Sequence, residues 1–190
     1  DAGSLHVTVL DSNDRAWADM RTQTAWLKED LTSPLPQTIV AFHHPPFSSD
    51  RKHPGGDLAI RAEWCGIFAQ NDVDAVFSGH THTYERYRVN GTEYVVAGCG
   101  GGPFYPLSEE KPEGYQAGRE ETLGYIRATI SPVSIGIEVV PVADVTENGG
   151  VTMHPAGAVI DTVRLNTAGG WWSVLASAPG VWELPGLWRR

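Results

Sequence analysis

Val73-Asp74-Ala75-Val76-Phe77-Ser78-Gly79-His80-Thr81-His82-Thr83-Tyr84-Glu85-Arg86 opens as a short apolar run and ends on two histidines one residue apart, behind a glycine. The pattern reads as a buried strand whose C-terminal end enters a polar site. In an extended segment, residues i and i+2 point the same way, with Cα atoms roughly 6.5 Å apart. Two imidazoles so placed could each take one metal of a pair held about 3.5–4 Å apart. On a helix they would diverge, because only i+3 and i+4 share a face. Gly79 removes a Cβ where the backbone has to turn tightly.

A second strand ends the same way. Thr38-Ile39-Val40-Ala41-Phe42 runs into His43-His44-Pro45-Pro46, and the loop continues through Ser48, Ser49 and Asp50 to His53. In open α/β sheets, sites assemble at the C-terminal ends of strands. The prolines stiffen the loop and remove backbone donors.

The elements around these two tips set the fold class. Leu5–Leu10 reads as a first strand, closed by the cap candidates Asp11, Ser12, Asn13 and Asp14. Trp17, Met20, Thr24, Leu27 and Leu31 recur at helical steps that stop before Pro34 and Pro36. Trp17 and Trp26 are expected in the core or at a packing surface. Asp57 can cap a second helix with Ile60, Trp64, Ile67 and Phe68 on its apolar side. The order β-α-β-α-β over residues 5–82 favours parallel strands covered by helices.

Asn90-Gly91 signals a tight hairpin. Residues 106–123 read as a solvated loop, and 125–130, 135–142 and 158–165 as strands of an antiparallel meander. The expected fold class is mixed α/β, with residues 1–165 as one unit. Residues 166–190 form a separate tail rich in Trp, Gly and Pro.

Composition narrows the function. At 190 residues and 41% hydrophobic, the chain suits one domain with a real core. A formal net charge of −9 argues against nucleic acid and anionic membranes as partners, and repels phosphate unless bound cations invert the local field. No run of 18 apolar residues spans a membrane, even in the Trp-rich tail. Cys65 and Cys99 make no zinc motif or disulfide framework, and leave a single disulfide open. Gly98-Cys99-Gly100-Gly101-Gly102-Pro103 lacks the Lys-Ser or Lys-Thr of a P-loop and reads as a tight turn near the site. Asp1-Ala2-Gly3-Ser4 has no signal-peptide character and runs straight into a strand without an initiating Met, as if the sequence opens inside a longer one.

Gly79-His80-Thr81-His82-Thr83-Tyr84-Glu85-Arg86, behind its strand, resembles the last metal-binding motif of the calcineurin-like metallophosphoesterases. Its Tyr-Glu-Arg continuation resembles the purple acid phosphatase branch. The resemblance implies the C-terminal half of a four-layer α-β-β-α sandwich, and hydrolysis of phosphate mono- or diesters at a dinuclear centre of Fe, Zn or Mn.

By the same resemblance, His43 and His80 are ligands of one metal and His82 of the other. His53, ten residues after His43, matches a substrate-binding, proton-donating histidine. His44 falls where that branch has a small residue, and is expected to support the ligands without binding metal itself. His6 and His154 lie outside any motif and are expected to be structural or exposed. The branch implies a secreted or periplasmic setting.

The family's earlier blocks are absent from these residues. There is no Asp-x-His and no Gly-Asn-His, and the one Gly-Asp, Gly56-Asp57, falls between the two histidine blocks. A dinuclear centre without a bridging carboxylate should not hold. Partial or no metal occupancy is therefore expected, with an N-terminal half or another chain as partner. The alternative is a non-catalytic, phosphatase-like module that binds a partner chain.

Overall fold

Three parallel strands carry the expected β-α-β-α-β order in the computed structural model, which describes residues 1–13 and 20–167. β1 (Leu5–Val9) pairs with β2 (Gln37–Ala41), and β2 pairs with β3 (Ala75–Ser78), all parallel. β3 continues, again parallel, onto β5 (Thr92–Ala97). β5 forms a hairpin with β4 (Tyr84–Val89), which pairs with the edge strand β6 (Tyr115–Arg119). The sheet order is therefore β1-β2-β3-β5-β4-β6. The hairpin turns at Asn90 (φ 49°) and Gly91 (φ 89°), both left-handed, as a two-residue turn of that hand requires.

Helices cover one face of this sheet. α1 (Met20–Asp30) buries Leu27 against Val40, Val76, Trp64 and Phe68. The second helical segment is α2 (Leu58–Ile60), a π-helical turn (Arg61–Cys65) and α3 (Gly66–Gln70). Asp57 caps it as expected, accepting from the backbone N–H of Ala59 and Ile60. Fully burying a side chain of the size of Leu27 or Ile60 stabilises by about 1.5–3 kcal/mol before the cost of ordering it.

A second sheet packs on the other face. β7 (Thr122–Ser131), β8 (Ser134–Val145) and β10 (Asp161–Asn166) form the antiparallel meander, and β9 (Val151–Met153) adds to one end of β8. Ile135, Ile137, Val139 and Leu165 meet Ile39, Ala75 and Val95 of the first sheet in a second core. Helices, sheet and sheet are three layers of the α-β-β-α architecture, the half sandwich that was expected.

Several expectations need correction. The 106–123 loop contains β6, and β9 lies outside the expected strands; at five and three residues both are too short for their alternation to mark a strand. Trp26 is 47% exposed rather than packed, because α1 turns Leu27 to the core. Trp17 falls within 14–19 and most of the Trp-rich tail within 168–190, outside the described residues. Cys65 and Cys99 are free and buried, and burial pushes the Cys65 thiol up to about 11, so neither suits a nucleophile. Among the described residues no helix is long and apolar enough to cross a membrane.

Candidate metal centre

Parallel pairing brings the strand tips to one edge of the sheet. Ala41 lies beside both Val9 and Phe77, so the chain leaves β1, β2 and β3 at the same level. The loops are then stitched together by backbone hydrogen bonds, Phe42 N to Phe77 O at 3.1 Å and Gly79 N to His43 O at 3.0 Å. This fixes the His43 loop against the His80 loop.

Three imidazoles converge there. His80 Nδ1 is 3.2 Å from His43 Nε2, and the His44 ring centre is 4.3 Å from that of His80. One ring nitrogen from each of His43, His44 and His80 lies within 4.8 Å of the other two. Burial, and then the neighbouring His44, His53 and His43, hold the His80 ring down at about 4, so it is neutral near pH 7 with a lone pair to offer. Three imidazole nitrogens in one cluster suit zinc, iron or manganese and not calcium or magnesium. No carboxylate of the described residues joins this cluster.

His53 reaches the same place from the far side of its loop. Its ring centre is 4.6 Å from that of His80, and its Nδ1 is 3.0 Å from Asp50 Oδ2. With His44, His80 and Asp57 it lines a small cavity of about 190 Å³. A larger cavity of about 520 Å³, among Asp74, Arg88, Asn90 and Arg164, lies at the opposite ends of β3 and β5 and holds no histidine.

His82 does not enter the cluster of three. β3 ends at Ser78, and His80 takes a left-handed φ of 64°, so the i, i+2 relation of an extended strand is lost. The His82 ring instead stacks on Tyr105 at 4.7 Å and 10°, with its Nδ1 2.6 Å from Pro103 O. That carbonyl fixes Nδ1 as the donor and leaves Nε2 as the nitrogen that could ligate. Tyr105 also lies 5.5 Å from the His53 ring, which ties the two regions together.

Four supporting residues escaped the sequence reading. Ser12 Oγ accepts from the backbone N–H of both His43 (3.1 Å) and His44 (2.9 Å), and lies 3.1 Å from His44 Nδ1. Tyr105 and Asp50 are described above. Fully buried Glu85 accepts from Ser48 Oγ at 2.8 Å, Ser49 N at 2.7 Å and Tyr87 OH at 2.6 Å, and so anchors the loop that carries His43 and His53. Glu85 belongs to the Tyr-Glu-Arg run, but only its loop partners reveal what it does. Gly98 approaches so closely that a Cβ there would overlap Thr81 O, as expected of a tight turn near the site.

Residues 2–84 match the Calcineurin-like phosphoesterase family. A phosphoenolpyruvate phosphatase of Allium cepa is 32% identical over 117 residues, 59% of this chain and 24% of that protein. Purple acid phosphatase 21 of Arabidopsis thaliana is 28% identical over 150 residues, 67% of this chain and 34% of that protein. Over these residues the chain is similar to the purple acid phosphatases among the calcineurin-like phosphoesterases.

The fold agrees. Purple acid phosphatase PPD1 from yellow lupin superposes with a TM-score of 0.69 at 17% identity, over 94% of this chain and 34% of that one. GAP50, the anchor in the inner membrane complex of Plasmodium, gives 0.68 at 19% identity, over 95% of this chain and 58% of that one. The phosphoesterase-like chain thus spans about a quarter to a third of the length of these two curated relatives. His43, His44, His53, His80 and His82 all fall inside the matched residues 2–84.

Proposed function

We propose that this chain carries the histidine side of a dinuclear phosphoesterase centre that hydrolyses phosphate mono- or diesters. The observation that supports it most is the meeting of His43, His44 and His80 within 4.8 Å, with His53 against His80. His43 and His80 would hold one cation with His44 beside them, and His82 would offer Nε2 to the other. Bound cations would offset the net charge of −9 around a phosphate and lower the pKa of a bound water. His53 lines the cavity where an ester's leaving oxygen would sit, within reach to give it a proton. The remaining ligands, carboxylates above all, would come from residues outside this sequence or from another chain.

Calorimetry with zinc or manganese, run beside hydrolysis of p-nitrophenyl phosphate, tests this. Metal uptake that is lost in His80→Ala supports the reading, and no uptake by the wild-type chain overturns it for this chain.

A second reading is a non-catalytic, phosphatase-like module. It is favoured by the absence of any carboxylate among the clustered donors of the described residues. The fold is compatible with such a role, as the likeness to an anchor protein illustrates. A folded chain that takes up no metal would fit it.

A further inference from the structure

The loop that brings His53 to the centre contains a carboxylate that no motif assigns. Asp50 is fully buried. Its Oδ1 accepts from Lys52 N at 2.6 Å and His53 N at 2.9 Å, and its Oδ2 lies 3.0 Å from His53 Nδ1. One side chain therefore shapes the turn and also holds the ring at its end.

Asp50 is itself held on two sides. Its backbone bridges to Leu107, and the flanking bonds Arg51 N to Pro106 O (3.0 Å) and Ser108 N to Ser49 O (2.6 Å) tie the segment to the 106–108 strip. Ser48 Oγ donates to Glu85 Oε1 at 2.8 Å and reaches Asp50 Oδ2 at 3.4 Å, so the two buried carboxylates flank one hydroxyl. The His53 ring is confined between His80 at 4.6 Å and Tyr105 at 5.5 Å.

We propose that Asp50 is a positioning residue that fixes the orientation and tautomer of His53, so that Nδ1 stays on the carboxylate and Nε2 alone faces the cavity shared with His44 and His80. Nδ1 belongs to a buried acceptor, and Nε2 is the remaining nitrogen that can act. The functional half of this inference rests on the phosphoesterase reading. When an ester is cleaved there, a water oxygen forms the new P–O bond and releases one proton to solvent, and the bond from phosphorus to the leaving oxygen breaks. The leaving oxygen takes the Nε2 proton of a protonated His53, and the Nδ1 proton stays hydrogen-bonded to Asp50. The carboxylate orients the donor and takes up no proton itself.

The tautomer can be read without turnover or metal. Long-range 15N–1H spectra of the metal-free chain with 15N-labelled histidine, at alkaline pH where the rings are neutral, report which nitrogen carries the proton. The His53 signal is assigned by its absence in His53→Gln. The wild-type ring should be the Nδ1–H form; an Nε2–H ring overturns the proposal outright, and this measurement needs no Asp50 variant. Asp50→Asn keeps an oxygen for Lys52 N and His53 N but turns an amide donor toward Nδ1. It should convert His53 to the Nε2–H form, and an unchanged Nδ1–H ring would overturn the proposal. Asp50 acting only as a turn former would change stability and leave the tautomer alone. Zinc calorimetry on the same samples keeps the two readings apart: no metal uptake with the tautomer switch intact sinks the phosphoesterase reading and not this one.

Discussion

Arg86 Nε donates to Asp161 Oδ2 at 2.7 Å, and through that bond the strand behind the histidine loop is tied to the last strand of the second sheet. Arg86 also donates to fully buried Glu93 at 2.6 Å, and Tyr84 OH donates to Asp161 at 2.5 Å. Tyr84 and Arg86 thus face the sheet interface, whereas Glu85 between them faces the His43–His53 loop. The alternation of a strand gives the Tyr-Glu-Arg run two separate anchoring tasks.

Breaking this junction should be costly. Asp161→Ala leaves the Arg86 guanidinium, only 15% exposed, without its second carboxylate. A loss of about 3 kcal/mol is expected for removing one partner of a buried pair. Urea denaturation followed by circular dichroism measures it; a change within about 0.5 kcal/mol, the range of an unremarkable surface substitution, would contradict it.

The same carboxyl sets an acid limit. Burial alone would raise Asp161, but hydrogen bonds from Arg86 and Tyr84 and the Arg86 charge outweigh it and hold the group below the usual carboxylate range. Its stabilising contribution is therefore complete above the unfolded value of about 4, and is lost as pH falls through the lower folded value. Unfolding free energies measured from pH 6 down to pH 2 should show a slope that Asp161→Asn reduces. An unchanged slope in that variant would argue against the coupling.

His80 separates conformation from ligation. Its φ of 64° is tolerated by Asn but strained for a β-branched residue. His80→Asn should keep the melting temperature near wild type while abolishing metal uptake. His80→Val should also lose stability, by about 1–3 kcal/mol. Calorimetry and thermal melts of the two variants, side by side, decide it.

Glu85 should link stability to the site. Glu85→Gln keeps the shape but turns an amide donor toward Ser48, Ser49 or Tyr87, which already donate there. A cost of about 1–3 kcal/mol follows from the mismatched donors, together with weaker zinc binding as the His43 loop loosens. Full zinc affinity in a destabilised variant would show that the loop does not depend on this anchor.

Gly98→Ala probes the neighbouring turn. The new methyl overlaps Thr81 O, a backbone atom between His80 and His82 that cannot swing aside. About 1–3 kcal/mol of destabilisation is expected. Crosspeak shifts in an 1H–15N spectrum should centre on residues 80–83, and shifts centred elsewhere would refute the contact.

By itself the sequence determined the β-α-β-α-β order, the hairpin at Asn90-Gly91, the cap at Asp57 and the two strand tips that carry histidines. Each is written in local periodicity or in a residue whose backbone preference acts on its immediate neighbours. β6 and β9 were not legible, because very short strands exist through their partners rather than their own pattern. Tertiary structure alone decided which imidazoles meet. His44 joins His43 and His80 because Ser12, thirty-two residues earlier, lies 3.1 Å from its ring nitrogen. His82 stays apart because His80 leaves the extended conformation that would have aligned the pair. Asp50 and Glu85 look like ordinary loop and strand acids in the sequence. Their tasks come from donors that only folding delivers, since a buried carboxylate is defined by what surrounds it.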